Sequence, residues 1–138
     1  MPFLISVFIE STISTDLHLY GEDRTTTSLS TLGMGSIVTC DGCSATFENL
    51  TFTQAMTSAV TISSGQPTLR NLLFASNFAM DDGAAISMDN AQATLANITF
   101  ASNRSTQSGG AIYAIDSHFD ASNLSFSGNR SSIDGGAV

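Results

Sequence analysis

The 138-residue chain contains no lysine and no tryptophan, two cysteines, two prolines, and 4 cationic residues, all arginine, against 12 Asp plus Glu. At a formal net charge of −8 it has no basic face to neutralise a run of phosphates, which excludes nucleic acid as a partner. The same deficit argues against docking on anionic membrane surfaces. Two cysteines are too few for a disulfide-dense miniprotein. No apolar run approaches the ~18 residues that a spanning helix needs, so no membrane insertion by this segment is expected. Charged residues make up only 12% of the chain, and Ser and Thr supply most of its polarity. The 42% apolar content is too high for wholesale disorder. The length fits one domain with a real core.

The two ends read differently. Phe3 to Ile9 (FLISVFI) form an apolar run without the basic flank or small-residue cleavage site of a secretory signal. The run reads as a short buried strand. The chain stops at Gly135-Gly136-Ala137-Val138, a word that elsewhere in the sequence opens a strand, so it is expected to break off inside a structural unit.

What the sequence has in place of charge is an internal repeat. Phe74-Ala75-Ser76-Asn77 recurs 26 residues on as Phe100-Ala101-Ser102-Asn103, and 26 further as Phe126-Ser127-Gly128-Asn129. Phe52 precedes Phe74 by only 22 residues, and the four missing positions all lie between Phe52 and Ala59. Before each Phe stands the same kind of word: Asn49-Leu50-Thr51, Asn71-Leu72-Leu73, Asn97-Ile98-Thr99, Asn123-Leu124-Ser125. Within a repeat the period is two, as in Val60/Ile62, Pro67/Leu69 and Leu72/Phe74, which predicts three short half-buried strands separated by turns. No stretch carries a sustained helical stripe. A unit this small cannot bury its apolar face alone; coiled, each turn stacking ~4.8 Å above the last, it can. The fold expected is all-β, a parallel β-helix with three strands per 22–26-residue coil. Its hand is expected to be right, as for parallel crossovers generally. One domain covers 1–138, with clear repeats over 36–138 and opening coils over 1–35.

Column positions then acquire roles. Asn49, Asn71, Asn97 and Asn123 fall at the bend into the third strand, and Asn77, Asn103 and Asn129 form a second column just after it. A bend leaves backbone groups in need of partners, and an Asn side chain both donates and accepts and tolerates left-handed backbone. Phe52, Phe74, Phe100 and Phe126 are expected to stack in the interior. Gly83, Gly109 and Gly135 suit turns of positive φ.

The pairing of F-x-x-N with G-G-A-[ILV] resembles the repeats of chlamydial-type polymorphic outer membrane proteins. The matching words are Phe74–Asn77, Phe100–Asn103, Phe126–Asn129, Gly109–Ile112 and Gly135–Val138. The resemblance implies a right-handed β-helix that forms the exposed passenger of a surface protein. The Gly83-Ala84-Ala85-Ile86 loop departs from the pattern, and the Phe52 coil lacks its Asn. Leu17 to Gly21 and the Thr-rich stretch that follows also look like the opening coils of pectin-lyase-like β-helices.

Few constellations suggest chemistry. Asp81-Asp82 is the most tempting carboxylate pair, but no third carboxylate, His or Lys accompanies it, and it reads as a solvated loop rather than an acid–base pair. Asp89 and Asp116, with Asp41, fall near one turn column and are weak Ca²⁺ candidates; self-capped turns explain them as well. Cys40-Asp41-Gly42-Cys43 is a lone C-x-x-C. Small buried thiols are its first reading, a disulfide across the turn its second and a metal site its third. His18 and His118 are isolated. Arg104 and Arg130 stack in one column with Phe78 a coil earlier, as a solvated face or a contact for an acidic glycan. Sequons stand at Asn49, Asn97, Asn103, Asn123 and Asn129. Asn103 and Asn129, nearer the loop, are expected to be the better acceptors. The outward Thr46, Thr68, Thr94 column invites a glycan- or ice-binding face but breaks at Asp120.

The sequence is therefore read as a structural or adhesive β-helical segment of a secreted or cell-surface protein, without catalysis or cofactor. Glycans or host and surface proteins are its expected partners, and its uncapped ends invite end-to-end self-association. The competing readings are a pectin-lyase-like enzyme acting on acidic polysaccharide and a non-catalytic glycan- or ice-binding module.

Overall fold

Short alternating segments punctuated by Asn, Ser, Asp and Gly cannot form helices, and in this chain they form strands stacked coil on coil. The structure is a computed structural model that describes residues 5–8, 11–13, 16–31 and 35–138, the first two stretches by backbone alone. The opening coils hold β1 (Ile5–Phe8), β2 (Ser11–Ile13), β3 (His18–Tyr20) and β4 (Thr27–Ser30). Next come β5 (Val38–Asp41), β6 (Thr46–Glu48) and β7 (Thr51–Thr53), then β8 (Val60–Ser63), β9 (Thr68–Ala75) and β10 (Phe78–Ala79). The following coil carries β11 (Ile86–Asp89), β12 (Gln92–Ala101) and β13 (Arg104–Ser105), and the last carries β14 (Ile112–Ile115) and β15 (His118–Ser127).

Every strand pairing among the described residues is parallel, as a solenoid requires. One sheet runs β1-β4-β7-β9-β12-β15, with β3 and β6 joining it alongside; a second runs β2-β5-β8-β11-β14; β10 and β13 make a third. The chain is an all-β parallel β-solenoid of about four turns, about 26 residues each. The repeat register is the pairing register: Phe52 faces Phe74, Phe74 faces Phe100, and Phe100 faces Phe126. Where the sequence predicts a second and a third strand per coil, β9, β12 and β15 each run through as one strand bent at Asn71, Asn97 or Asn123.

The bends form columns of their own. Asn49, Asn71, Asn97 and Asn123 all have φ between 51° and 57°. Gly42, Ser64, Asn90 and Asp116 make a second left-handed column, and Gln54, Ser76, Ser102 and Gly128 a third. Gly83, Gly109 and Gly135 form a fourth, present only in the longer coils; this extra corner holds the four residues that the Phe52 coil lacks. At Gly109 (φ +61°) a Cβ would collide with the Ile112 carbonyl, so glycine is required twice over.

The core is the stack the spacing predicts. Phe52, Phe74 and Phe100 are fully buried, with ring centroids 4.9 and 5.3 Å apart and planes within 10° of parallel. Phe126 continues the stack at 4.9 Å but is 37% exposed on the last coil. Leu50, Leu72 and Ile98, the column Val38, Val60, Ile86 and Ile112, the column Phe47, Leu69 and Leu95, and Ile62 with Met88 pack around the stack. Each such side chain contributes roughly 1.5–3 kcal/mol of transfer free energy before entropy.

Candidate functional site

The two Asn columns differ in what they hold together. Asn103 is fully buried, its Nδ2 donating to the Phe74 carbonyl at 3.0 Å and to Asn129 Oδ1 at 2.9 Å. Its Oδ1 accepts from the backbone N–H and the Nδ2 of Asn77. Asn77 repeats the pattern toward the Phe52 carbonyl, and Asn129 donates to the Phe100 carbonyl. In the coil without its Asn, the Ala55 N–H is taken up by Asn77 Oδ1. The bend column is looser and faces solvent: Asn71 Nδ2 donates to Asn49 Oδ1, and Asn123 Nδ2 to Asn97 Oδ1 at 2.7 Å.

That division corrects the sequon expectation. Asn103, taken from sequence as one of the better glycan acceptors, has no exposed surface and uses both amide hydrogens inside the wall. Asn97 and Asn123, assigned to the strand word, are the exposed ones.

Cys40 and Cys43 are fully buried and joined by a disulfide, with Cα atoms 5.3 Å apart, where the sequence reading puts free thiols first. Parallel pairing sets Cys40 beside Ile62 at the end of a strand, and the turn through Gly42 folds Cys43 back. A Cβ on Gly65 would come within 2.9 Å of Cys40 Sγ, so the coil above is cut away to seat the bridge.

The carboxylates do not converge. Asp89 pairs with Ile115, one position before Asp116, which occupies the left-handed corner next to Asn90 on the following coil; the two weak Ca²⁺ candidates are out of register. Asp82 Oδ1 accepts the Ser108 N–H at 2.7 Å, and its carbonyl accepts the Ser58 hydroxyl at 3.2 Å, tying the loop between coils. Among the described residues no three His, Cys, Asp or Glu come together. A cleft of about 220 Å³ near the last coil presents one phenol, Tyr113, and one carboxylate, Asp134.

Two outward columns carry charge. On the main sheet Glu48 Oε2 lies 3.0 Å from Arg70 Nη2 and 3.2 Å from His18 Nε2. The Arg70 guanidinium holds the Glu48 carboxyl below its ordinary value, with a smaller push in the same direction from His18. This cluster escapes sequence reading because only the register, His18 with Thr46 and Glu48 with Arg70, brings it together. His118 lies 3.4 Å from Asp120. The Thr46, Thr68, Thr94 column is in register and ends on Asp120. On the third sheet Phe78 pairs with Arg104 and Arg104 with Arg130, and the Arg104 guanidinium lies over the Phe78 ring, 6.0 Å from its centroid.

The fold and these columns define a repeat protein of the parallel β-solenoid class. Comparison with known families is specific at one point: residues 97–115 and 123–138 match the Chlamydia polymorphic membrane protein repeat. These stretches hold the strand word, the F-x-x-N turn and the Gly-Gly-Ala strand opening of the last two coils, so the chain carries repeats of this type in a β-solenoid. No curated protein matches the chain, and no solved structure matches it.

Proposed function

We propose that this segment is a non-catalytic structural rod that presents its outward columns as an adhesive surface of a secreted or cell-surface protein. The reading is supported most by the polymorphic membrane protein repeat at 97–115 and 123–138, seated on coils whose buried positions are all committed to packing and hydrogen bonding. A solenoid suits this role because its wall is self-satisfied, while outward residues and corner loops vary without disturbing it. Glycans or host and surface proteins are the partners it would meet.

The test is surface labelling of intact cells that produce the full-length protein, using an antibody to the loop 80–83. Staining without permeabilisation is the expected result. Staining that needs permeabilisation would overturn the surface assignment. Release of reducing ends from pectin or another acidic polysaccharide by the purified chain would overturn the non-catalytic assignment.

A further inference from the structure

The four arginines of this chain are not equivalent. Arg24 Nη1 donates to the Leu72 carbonyl at 3.1 Å, and Arg70 is neutralised by Glu48. Arg104 and Arg130 make no ion pair among the described residues, although acidic residues outnumber cations 12 to 4. Their backbones are nonetheless bridged across neighbouring coils, about 4.8 Å apart along the solenoid axis, which puts two cationic side chains in one column. Like charges directly opposite each other in a sheet are destabilising, and nothing in the hydrogen-bond pattern of this corner needs a cation. Asn103 and Asn129 carry the turn itself.

The surroundings are unusual as well. Alternation along β10 and just beyond it turns Phe78 and Met80 outward on either side of buried Ala79, and Met80 is 64% exposed. Met56, one coil earlier, is also exposed. The exposed Arg104 lies over the Phe78 ring, a contact that favours one orientation of its fork and reduces the entropy lost on binding.

We propose that Phe78, Arg104 and Arg130 form a binding subsite for an acidic sugar, one carrying a carboxylate or a sulfate. The reading rests on the adhesive role above and names the ligand class it serves. One anionic group accepts hydrogen bonds from both guanidiniums and relieves their repulsion. Phe78 serves as the platform that orients Arg104, and the apolar face of the sugar ring lies on the neighbouring exposed Met80. An anion on a chain of net charge −8 has little to gain from the overall field, so binding must come from this local pair.

The experiment measures retention of the full 138-residue chain on three immobilised polymers at low salt: heparin, polygalacturonate and neutral dextran. Retention on heparin or polygalacturonate, but not on dextran, is expected. Heparin alone assigns the site to sulfate, and both together assign it to any ring-borne anion. Arg104→Ala/Arg130→Ala, on exposed side chains, should weaken binding about tenfold or more, with a melting temperature that holds or rises as the like-charge pair is removed. Arg104→Lys, which keeps the charge but not the fork, should fall between. Arg24→Ala/Arg70→Ala changes net charge equally on another face and should bind as the parent does. No retention on either acidic polymer overturns the subsite, and so does equal loss in the two double variants. Surface labelling is read separately, so a failure here leaves the surface assignment standing on its own test.

Discussion

At the scale of single residues, two asparagines of the same repeat illustrate how position sets energetic weight. Asn103 is buried with four side-chain hydrogen bonds, and Asn103→Ala strands the Asn77 N–H and removes the amide donor to the Phe74 carbonyl. Leaving buried partners unsatisfied should cost ~2–4 kcal/mol in urea unfolding. Asn97 is exposed at φ 54°, so Asn97→Ala should cost only the ~1–2 kcal/mol of left-handed backbone, and Asn97→Gly still less. Equal losses at the two positions would contradict the division of labour between the columns. The aromatic stack makes a parallel case. Phe100→Ala opens a cavity between two rings and should cost ~3–5 kcal/mol, while Phe126→Ala, with one face in solvent, should cost clearly less. Electrostatics enter on the surface. Because Arg70 depresses the Glu48 pKa, their attraction is fully present above the ordinary carboxylate range and disappears as pH falls through the folded value. Arg70→Met should therefore raise the Glu48 pKa in an NMR titration; an unmoved titration would mean that the pair does not form in solution.

At the scale of elements, the corners were legible to the extent that residue type announces them. Asn at the bend and Gly in the longer loop are read directly from sequence because few other residues accept positive φ. The column of Gln54, Ser76 and Ser102 has the same backbone but residues with no such signature, and only its last member, Gly128, hints at it. The merging of the second and third strands was likewise hidden, because alternation that resumes across a left-handed residue looks the same whether the sheet breaks or bends there. The glycan-acceptor error has a similar root: a sequon carries no information about which side of the wall its Asn faces. Length variation shows where these elements yield. Two residues inserted after Asp81, in a loop that the Phe52 coil does without, should change the melting temperature by no more than a few degrees. One residue inserted between Ile98 and Thr99 inverts the faces of β12 beyond that point and should abolish cooperative unfolding by circular dichroism.

At the scale of the whole molecule, repetition made the fold readable and the function not. Each coil repeats the same solution to the same packing problem, so four copies reinforce one another as a signal. A binding face is written only in the columns where the copies differ: Phe78, Arg104, Arg130 in one, and Thr46, Thr68, Thr94, Asp120 in another. The disulfide also acts at this scale, fastening the turn between β5 and β6 in a chain with no other covalent cross-link. Replacing both cysteines by serine should cost about 2 kcal/mol from the closed loop alone, and more through two buried hydroxyls.

The Asn column that threads the wall has one more consequence, for the order in which the molecule comes apart. Each coil is held chiefly by its two neighbours, because the side chain of one Asn satisfies the backbone of the adjacent turn only, and the Arg24 bond to the Leu72 carbonyl is an exception that reaches one coil farther. Such a chain behaves as a one-dimensional stack, and opening spreads inward from an outer layer. Amide hydrogen exchange should therefore be slowest in β8, β9, β11 and β12, each covered on both sides, and faster in β14 and β15 at the margin of their sheets. A stack of these 138 residues alone would dissolve from its edge like a column of coins, with its middle the last part to remember the fold.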